Sequence, residues 1–323
     1  HRGRHRHPPE AGRLSATHTH SGPITVDYLS NAGDPIVPPA DPAYLRFLED
    51  RIVEAAIDAA KALQPATLTF ALADGSAVGT NRRDPAGPAD PQVPVLLARD
   101  AADGRPLALM LVCSMHPTVL HEDSHLVSAD FPGAARRTIR ALLGSDIPVL
   151  HHTGPAGNQS PRHVTRANTF EEADRLGAAL AHAIISGLRC STGVPPVLHC
   201  GALGQGGTGQ RTVLHARRTF IDLPRRAFPS VSEAEARLAA AVERLARLRA
   251  EAAPHRQVRT AEVDWFGAEE TVTLARAAAD GRLDAAYTAC LPAEVQALTV
   301  GPWTFVGWPG EIFVEYALEV KAR

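Results

Sequence analysis

Two histidines, at positions 18 and 20 of the run Thr17-His18-Thr19-His20-Ser21-Gly22-Pro23, are the first residues here with chemistry in their spacing. If the preceding Leu14-Ser15-Ala16 forms a strand, residues two apart project from one face, and both imidazoles point the same way. Such a pair suits a metal site in which one ring is a ligand and the other handles protons. A lone His-x-His is more often a surface or hydrogen-bonded pair, so the reading depends on what else converges on it. Three further places put polar residues where a strand is expected to end: His116-Pro117-Thr118, Gly157-Asn158-Gln159-Ser160-Pro161 and Pro309-Gly310-Glu311. In open α/β sheets, sites gather at the carboxyl ends of strands. Two His and one Glu from separate strands are a suitable set for catalytic zinc, which takes three protein ligands and keeps one position for water.

Each of these residues also has a plainer reading. His116 fits a turn, and Glu311 fits an acid favoured by a helix N-terminus. Asn158 to Pro161 fits an Asx-type turn, and Asn81-Arg82-Arg83 a solvated basic loop. His121, His125, His151, His152 and His163 are read as structural or peripheral.

The elements that must position these groups alternate along the chain. Asp41-Pro42 reads as the N-cap and first residue of a helix running to about Gln64, with Leu45, Leu48, Ile52 and Ala56 on one face. Strands are expected over 67–72, 93–99 and 107–115, the last two joined by a turn at Asp103-Gly104. The run from Leu107 to Met115 is nearly continuous in apolar residues, the pattern of a strand buried on both faces. A helix over about 133–143 and a strand over 147–151 follow. Thr169 with Glu172 reads as a capping box for a helix to about Leu188. Residues 201–209 are Gly-rich, with no Gly-Lys-Ser/Thr after them, and read as a flexible connection. A strand is expected over 212–223, a helix capped by Ser232 and Glu235 to about Ala252, a helix over 268–279, a hairpin over 294–308 turning at Gly301-Pro302, and a short final helix. The class is α/β, with a partly mixed sheet flanked by helices and the site at the strand ends. One domain is expected over 14–323. Residues 1–13 form a basic, His-rich end expected to be poorly ordered.

The chain has 323 residues, 45% of them hydrophobic, which suffices for a large core. Its net charge of -2 gives no support for a nucleic-acid partner. Among the 33 basic residues, Lys occurs only at positions 61 and 321. No apolar run reaches the roughly 20 residues that span a bilayer, and no signal peptide is visible. Cys113 reads as a buried thiol; whether Cys190 and Cys200 pair is left open by their spacing. The compartment and the oligomeric state stay open.

Six strings occur in a specific order: Thr17-His-Thr-His-Ser-Gly-Pro23, Asn81-Arg-Arg83, His116-Pro-Thr118, Ser128-Ala-Asp-Phe-Pro-Gly133, Ala156-Gly-Asn-Gln-Ser-Pro161 and Gly307-Trp-Pro-Gly-Glu311. Together they resemble the catalytic domain of the neutral/alkaline, non-lysosomal ceramidase family, from about Leu14 to the end. The resemblance implies a zinc-dependent amidohydrolase that cleaves the N-acyl amide of ceramide, or a similar N-acyl lipid, by zinc-activated water. It implies His18, His116 and Glu311 as zinc ligands and His20 as the neighbouring acid/base. It further implies Arg82 facing the substrate or oxyanion, and Ser160 as the active-site serine. Asn158 stands at a position where the family carries Asp or Asn, so no carboxylate is present there. The family's zinc-binding Tyr comes from a segment beyond the Pro-Gly-Glu motif, and Tyr316 is too near Glu311 to match it. The family's C-terminal immunoglobulin-like domain has no counterpart here, and the resemblance suggests a secreted or periplasmic setting. The expected partner is a small N-acyl lipid or amide. A relative acting on another amide or ester, and a non-catalytic metal- or lipid-binding fragment, are the rival expectations.

Overall fold

The computed structural model describes residues 12–121, 124–190 and 214–323, with the backbone alone for 198–200. The histidine-rich start and the Gly-rich run 201–209 lie outside the described residues, as does the side chain of Cys200 in the pairing considered above. The chain divides into two compact units.

The first unit is built on a five-stranded mixed sheet. Its strands are β1 (Ala66–Asp74), β3 (Gln92–Asp100), β4 (Pro106–Cys113), β5 (Val149–Thr153) and β7 (Leu198–Cys200), in the order β5-β4-β3-β1-β7. β1, β3 and β4 run antiparallel, and β4 pairs in parallel with β5. Alternate residues of β3 and β4 (Val93, Val95 and Leu97; Leu109, Leu111 and Cys113) are almost wholly removed from solvent. This alternation corrects the expectation that β4 is buried on both faces. One face packs under α2 (Asp130–Leu143) and α3 (Phe170–Cys190), whose Phe131, Ile139, Leu176, Leu180 and Ile184 complete the core. Burying each such side chain stabilises the fold by about 2 kcal/mol. The helices cross closely at Gly177, where a Cβ would meet Ala134 Cβ at 2.4 Å. The other face is only half covered, with Trp303 set edge-on to Phe70 of β1 at 4.9 Å between ring centroids.

Trp303 belongs to β10 (Trp303–Gly307), which forms the expected hairpin with β9 (Ala293–Val300). These two strands and β8 (Leu214–Ile221) make a three-stranded sheet. β2 (Thr80–Asn81) and β6 (Gln159–Ser160) form a two-residue bridge that periodicity does not reveal. The last helix is α7 (Val314–Ala322). Its Lys321 ammonium donates to both carboxylate oxygens of the buried Asp90, at 2.8 and 2.7 Å, and so ties the end of the helix to the start of β3.

The second unit is mostly helical. It contains α4 (Val231–Ala250), α5 (His255–Ala279) and α6 (Arg282–Ala289), and it takes in the greater part of α1 (Pro42–Lys61). Asp41 caps α1 as expected, its carboxylate accepting from Ala43 N at 2.8 Å. The α4 cap is Ser230 with Glu233, two residues before the expected pair. Both pairs fit the Ser-x-x-Glu spacing, and the earlier one follows Pro229, which cannot extend a helix backwards. α5 is 25 residues long and begins thirteen residues before the expected start, directly after Pro254. Its buried residues include Ala261, Ala275 and Ala277, too small to mark a stripe by hydrophobic period. Two arginines of α4 are engaged in ion pairs, Arg244 with Asp264 and Arg249 with Glu262. Among the described residues, no helix is long and apolar enough to cross a membrane.

Candidate functional site

The site lies within the first unit, where four segments distant in sequence meet. The first is the stretch from Gly12 to Gly22. It is not a strand, contrary to the reading of Leu14 to Ala16 as one; it has no regular hydrogen-bond ladder at all. Side chains anchor it instead. Gln296 Nε2 donates to Gly12 O, Arg13 donates to Val306 O, and Ser15 Oγ meets His152 Nδ1 at 2.6 Å. Thr153 Oγ1 donates to Thr17 O, and Thr19 Oγ1 to Ser128 O at 2.6 Å. His18 adopts a left-handed backbone with φ of 64°. This costs a non-glycine residue about 1 kcal/mol or more, and here the surrounding hydrogen bonds hold it. The left-handed turn, rather than strand alternation, brings His18 and His20 together, with ring centroids 4.6 Å apart.

The second segment follows β4. His116 is 1% exposed. Its Nδ1 lies 2.6 Å from Ala156 O and 3.0 Å from Gln159 O. Carbonyls only accept, so Nδ1 carries a proton, and in the Nδ1–H tautomer the lone pair of Nε2 faces the cluster. Asp130, left-handed at φ 53° and buried, closes the loop after His116. Its carboxylate accepts from Val119 N, Leu120 N and Phe131 N at 3.0, 3.0 and 2.6 Å. Burial raises the pKa of Asp130, and these three N–H groups oppose the rise. Two residues earlier, Ser128 N donates to Ser21 O at 2.8 Å, so the 128–131 turn binds both histidine-bearing segments. The Ser-Ala-Asp-Phe-Pro-Gly string thus has a positional role that residue types alone did not assign.

The third and fourth segments are the 156–160 loop and residues 307–315. Gly157 N donates to Ile312 O at 2.9 Å, and a Cβ on Gly157 would meet Phe313 Cδ1 at 2.6 Å. Only glycine permits that approach. Glu311 stands three residues before α7, outside the helix.

The donor atoms converge. His18 Nε2 lies 3.0 Å from His116 Nε2 and 3.1 Å from His20 Nε2. Glu311 places Oε1 3.0 Å from His116 Nε2 and Oε2 3.4 Å from His18 Nε2. The three histidines offer ligand atoms all within 4.8 Å of one another. Atoms about 2.0–2.2 Å from one tetrahedral zinc lie roughly 3.3–3.6 Å apart, so the spacing suits a single cation. Ring lone pairs facing one another and a carboxylate repel unless a positive charge sits between them, which is the same conclusion from charge.

Arg82 closes one side. It donates to Gly157 O at 2.6 Å and lies 3.8 Å from Glu311 Oε1. Its loop is shaped by buried Asn81, whose Oδ1 accepts from Arg83 N and Asp84 N while Nδ2 donates to Pro88 O. Burial lowers the pKa of Arg82. In the forms of the rings that carry a proton on Nε2, hydrogen bonds from His116 and then His18 hold the Glu311 carboxyl well below the usual carboxylate range. Desolvation, followed by repulsion from His18 and His116, lowers His20 to about 4.

Two solved structures share this architecture. The crystal structure of neutral ceramidase from Pseudomonas aeruginosa aligns with a TM-score of 0.60 and 18% identity, over 96% of this chain and 50% of that one. A ceramidase complexed with C2 aligns with a TM-score of 0.51 and 22% identity, over 65% of this chain and 33% of that one. This chain has the neutral ceramidase fold. It spans half or less of the length of those two structures. No family model and no curated protein matches its sequence.

Within the ceramidase fold, the structure brings five of the six singled-out residues together: His18, His20, Arg82, His116 and Glu311. Ser160 stands apart. It is 4% exposed, and its Oγ accepts from Arg162 N at 3.3 Å, capping the short turn Pro161–His163. Among the described residues, no hydrogen bond joins Ser160 to an imidazole. Through the β2–β6 bridge and its neighbour Gln159, it belongs to the backbone that holds His116 Nδ1.

Proposed function

We propose that the chain is a zinc-dependent amidohydrolase domain acting on an N-acyl lipid or a similar carboxamide. The observation that carries this reading is the convergence of His18 Nε2, His116 Nε2 and both Glu311 oxygens within 3.0–3.4 Å contacts. His18, His116 and Glu311 would hold the metal. Zinc bound there would supply Lewis-acid polarisation of the substrate carbonyl and a water with a pKa near 7. Arg82, fixed by the Gly157 carbonyl, places positive charge where the carbonyl oxygen becomes anionic. His20, on the exposed side of the cluster, accepts a proton and returns one to the leaving amine. Leu126, Val127 and Phe313 are solvent-exposed on the segments that frame the site, which supports an apolar substituent on the substrate.

The test is hydrolysis of a short-chain labelled ceramide beside an N-acyl amino acid, before and after chelation, with zinc add-back. Activity lost on chelation and restored by zinc supports the reading; activity surviving complete zinc removal overturns it. Because His20 Nε2 is also within 3.1 Å of His18 Nε2, a ligand set of three imidazoles is the second reading. His20→Ala that keeps zinc but loses turnover favours Glu311 as the third ligand; His20→Ala that loses zinc favours the imidazole set. Ser160→Ala separates two roles for that residue. Lower turnover with zinc retained supports an effect on substrate, and unchanged turnover leaves it a turn cap.

A further inference from the structure

We propose that Asn158 is a positioning residue that sets Glu311 and Arg82 against the imidazoles, and that it works only as an amide paired with Glu315. This rests on the reading of His18, His116 and Glu311 as a metal-holding set and names what holds the acidic member in place. Asn158 is 3% exposed. Its backbone carbonyl accepts from Arg82 N at 2.8 Å. Its side chain faces the first turn of α7 with both edges occupied. Oδ1 accepts from Val314 N at 3.0 Å, and Nδ2 donates to Glu315 Oε2 at 2.8 Å.

The orientation of this amide is forced, because Val314 N can only donate and the Glu315 carboxylate can only accept. Gln159 Nε2 also donates to Oδ1, at 3.1 Å. One residue therefore grips the chain three and four residues after Glu311 on one side and the Arg82 backbone on the other. Gly157 adds the bond to Ile312 O between them. Glu311 itself has no helix to fix it; what precedes it is Gly310 in a left-handed turn. Its direction is set from the far side, by the 312–315 backbone.

An aspartate at 158 would keep the Oδ1 contacts and turn the donating edge into a second carboxylate oxygen against Glu315. The same charge conflict disappears if Glu315 becomes Gln, whose amide donates. The experiment measures zinc dissociation constants of the full chain by competition with a chromogenic chelator, for the unsubstituted protein, Asn158→Asp, Glu315→Gln and the double variant. Asn158→Asp is expected to raise the dissociation constant at least fivefold. Glu315→Gln alone is expected to stay within twofold, and the double variant to return within twofold. Asn158→Leu, close in volume and without either polar edge, is expected to raise it at least tenfold and serves if the aspartate variant does not fold. Affinities for Asn158→Asp and Asn158→Leu within twofold of the unsubstituted protein would overturn the proposal. So would a double variant no better than Asn158→Asp. Failure of the unsubstituted chain to take up zinc strikes the functional reading instead. In that case a crystal structure of Asn158→Asp decides: Glu311 Oε1 displaced from His116 Nε2 supports the positioning role, and an unchanged contact overturns it.

Discussion

His18 and His116 aim the same ring nitrogen at one point, but opposite kinds of chain hold them. His116 is buried, follows a core strand, and has its other nitrogen bonded to two backbone carbonyls. His18 sits in a segment without secondary structure, left-handed and half exposed, tied down by threonine, serine and arginine side chains at intervals. A core-held histidine is rigid because moving it would break packing and the two bonds from Nδ1 to backbone carbonyls. A strapped ligand is rigid only as far as its anchors are, each contributing about 0.5–1.5 kcal/mol. The difference teaches that loss of zinc binding and loss of stability should be separable at His18 and inseparable at His116.

The largest expected effect tests this directly. His116→Ala should weaken zinc binding more than a hundredfold and also destabilise the fold by about 3 kcal/mol, since a fully buried ring is replaced by a cavity and its two bonds to backbone carbonyls are lost. His18→Ala should weaken zinc binding as much while changing stability by less than about 1 kcal/mol. Zinc titration with urea unfolding on the same samples reads both, and equal destabilisation by the two variants would erase the contrast.

Next is the core itself. His151, on β5, is 4% exposed, and among the described residues neither ring nitrogen reaches a hydrogen-bond partner. Burial, reinforced by the charges of His152 and Arg136, lowers its pKa from 6.5 to about 4. Between those values the unfolded chain binds more protons, so stability is full above about pH 6.5 and falls as pH drops towards 4. The loss is on the order of 3 kcal/mol. His151→Leu should flatten this slope. Urea midpoints at pH 7 and 4.5 that move equally in both proteins would assign the acid sensitivity elsewhere.

Asp130→Ala should cost about 2 kcal/mol, through three unpaired backbone N–H groups, and weaken zinc binding roughly tenfold, because the turn serves both histidine segments. Asp130→Asn, which keeps the acceptor oxygen, should recover part of both. The smallest effect is expected at Thr19→Val. Losing the bond to Ser128 O should lower stability by under about 1 kcal/mol and zinc affinity by severalfold, on the strapped side alone. A Thr19→Val change that left affinity untouched would show that the other anchors suffice.

Much of the scaffold is legible in the residue pattern. β3 and β4 announce themselves by apolar runs around Asp103-Gly104, and α1 by Asp41-Pro42. What is not legible follows from physics that leaves no period. A two-residue bridge such as β2–β6 has no repeat to detect, yet it orients Asn81 and Gln159. The long reach of α5 hides in alanines. The left-handed turn at His18 follows from bonds to residues 128 and 153, which no local window contains. The candidate site is legible as a set of residue types at loop positions, but its supports are not. Asp130 and Asn158 act through backbone groups, and backbone groups are the same in every sequence.

The strap from Gly12 to Gly22 has one further consequence, in the order of events during synthesis. Its anchors include Val306 and Gln296, nearly three hundred residues downstream, and Glu311 comes later still. The sheet and helices between Ala66 and Cys190 can collapse on contacts mostly close in sequence. His18 and His20 must wait, uncommitted, until residues 296–311 have left the ribosome. The candidate site is therefore a late closure on a scaffold already formed, joining residues nearly three hundred positions apart.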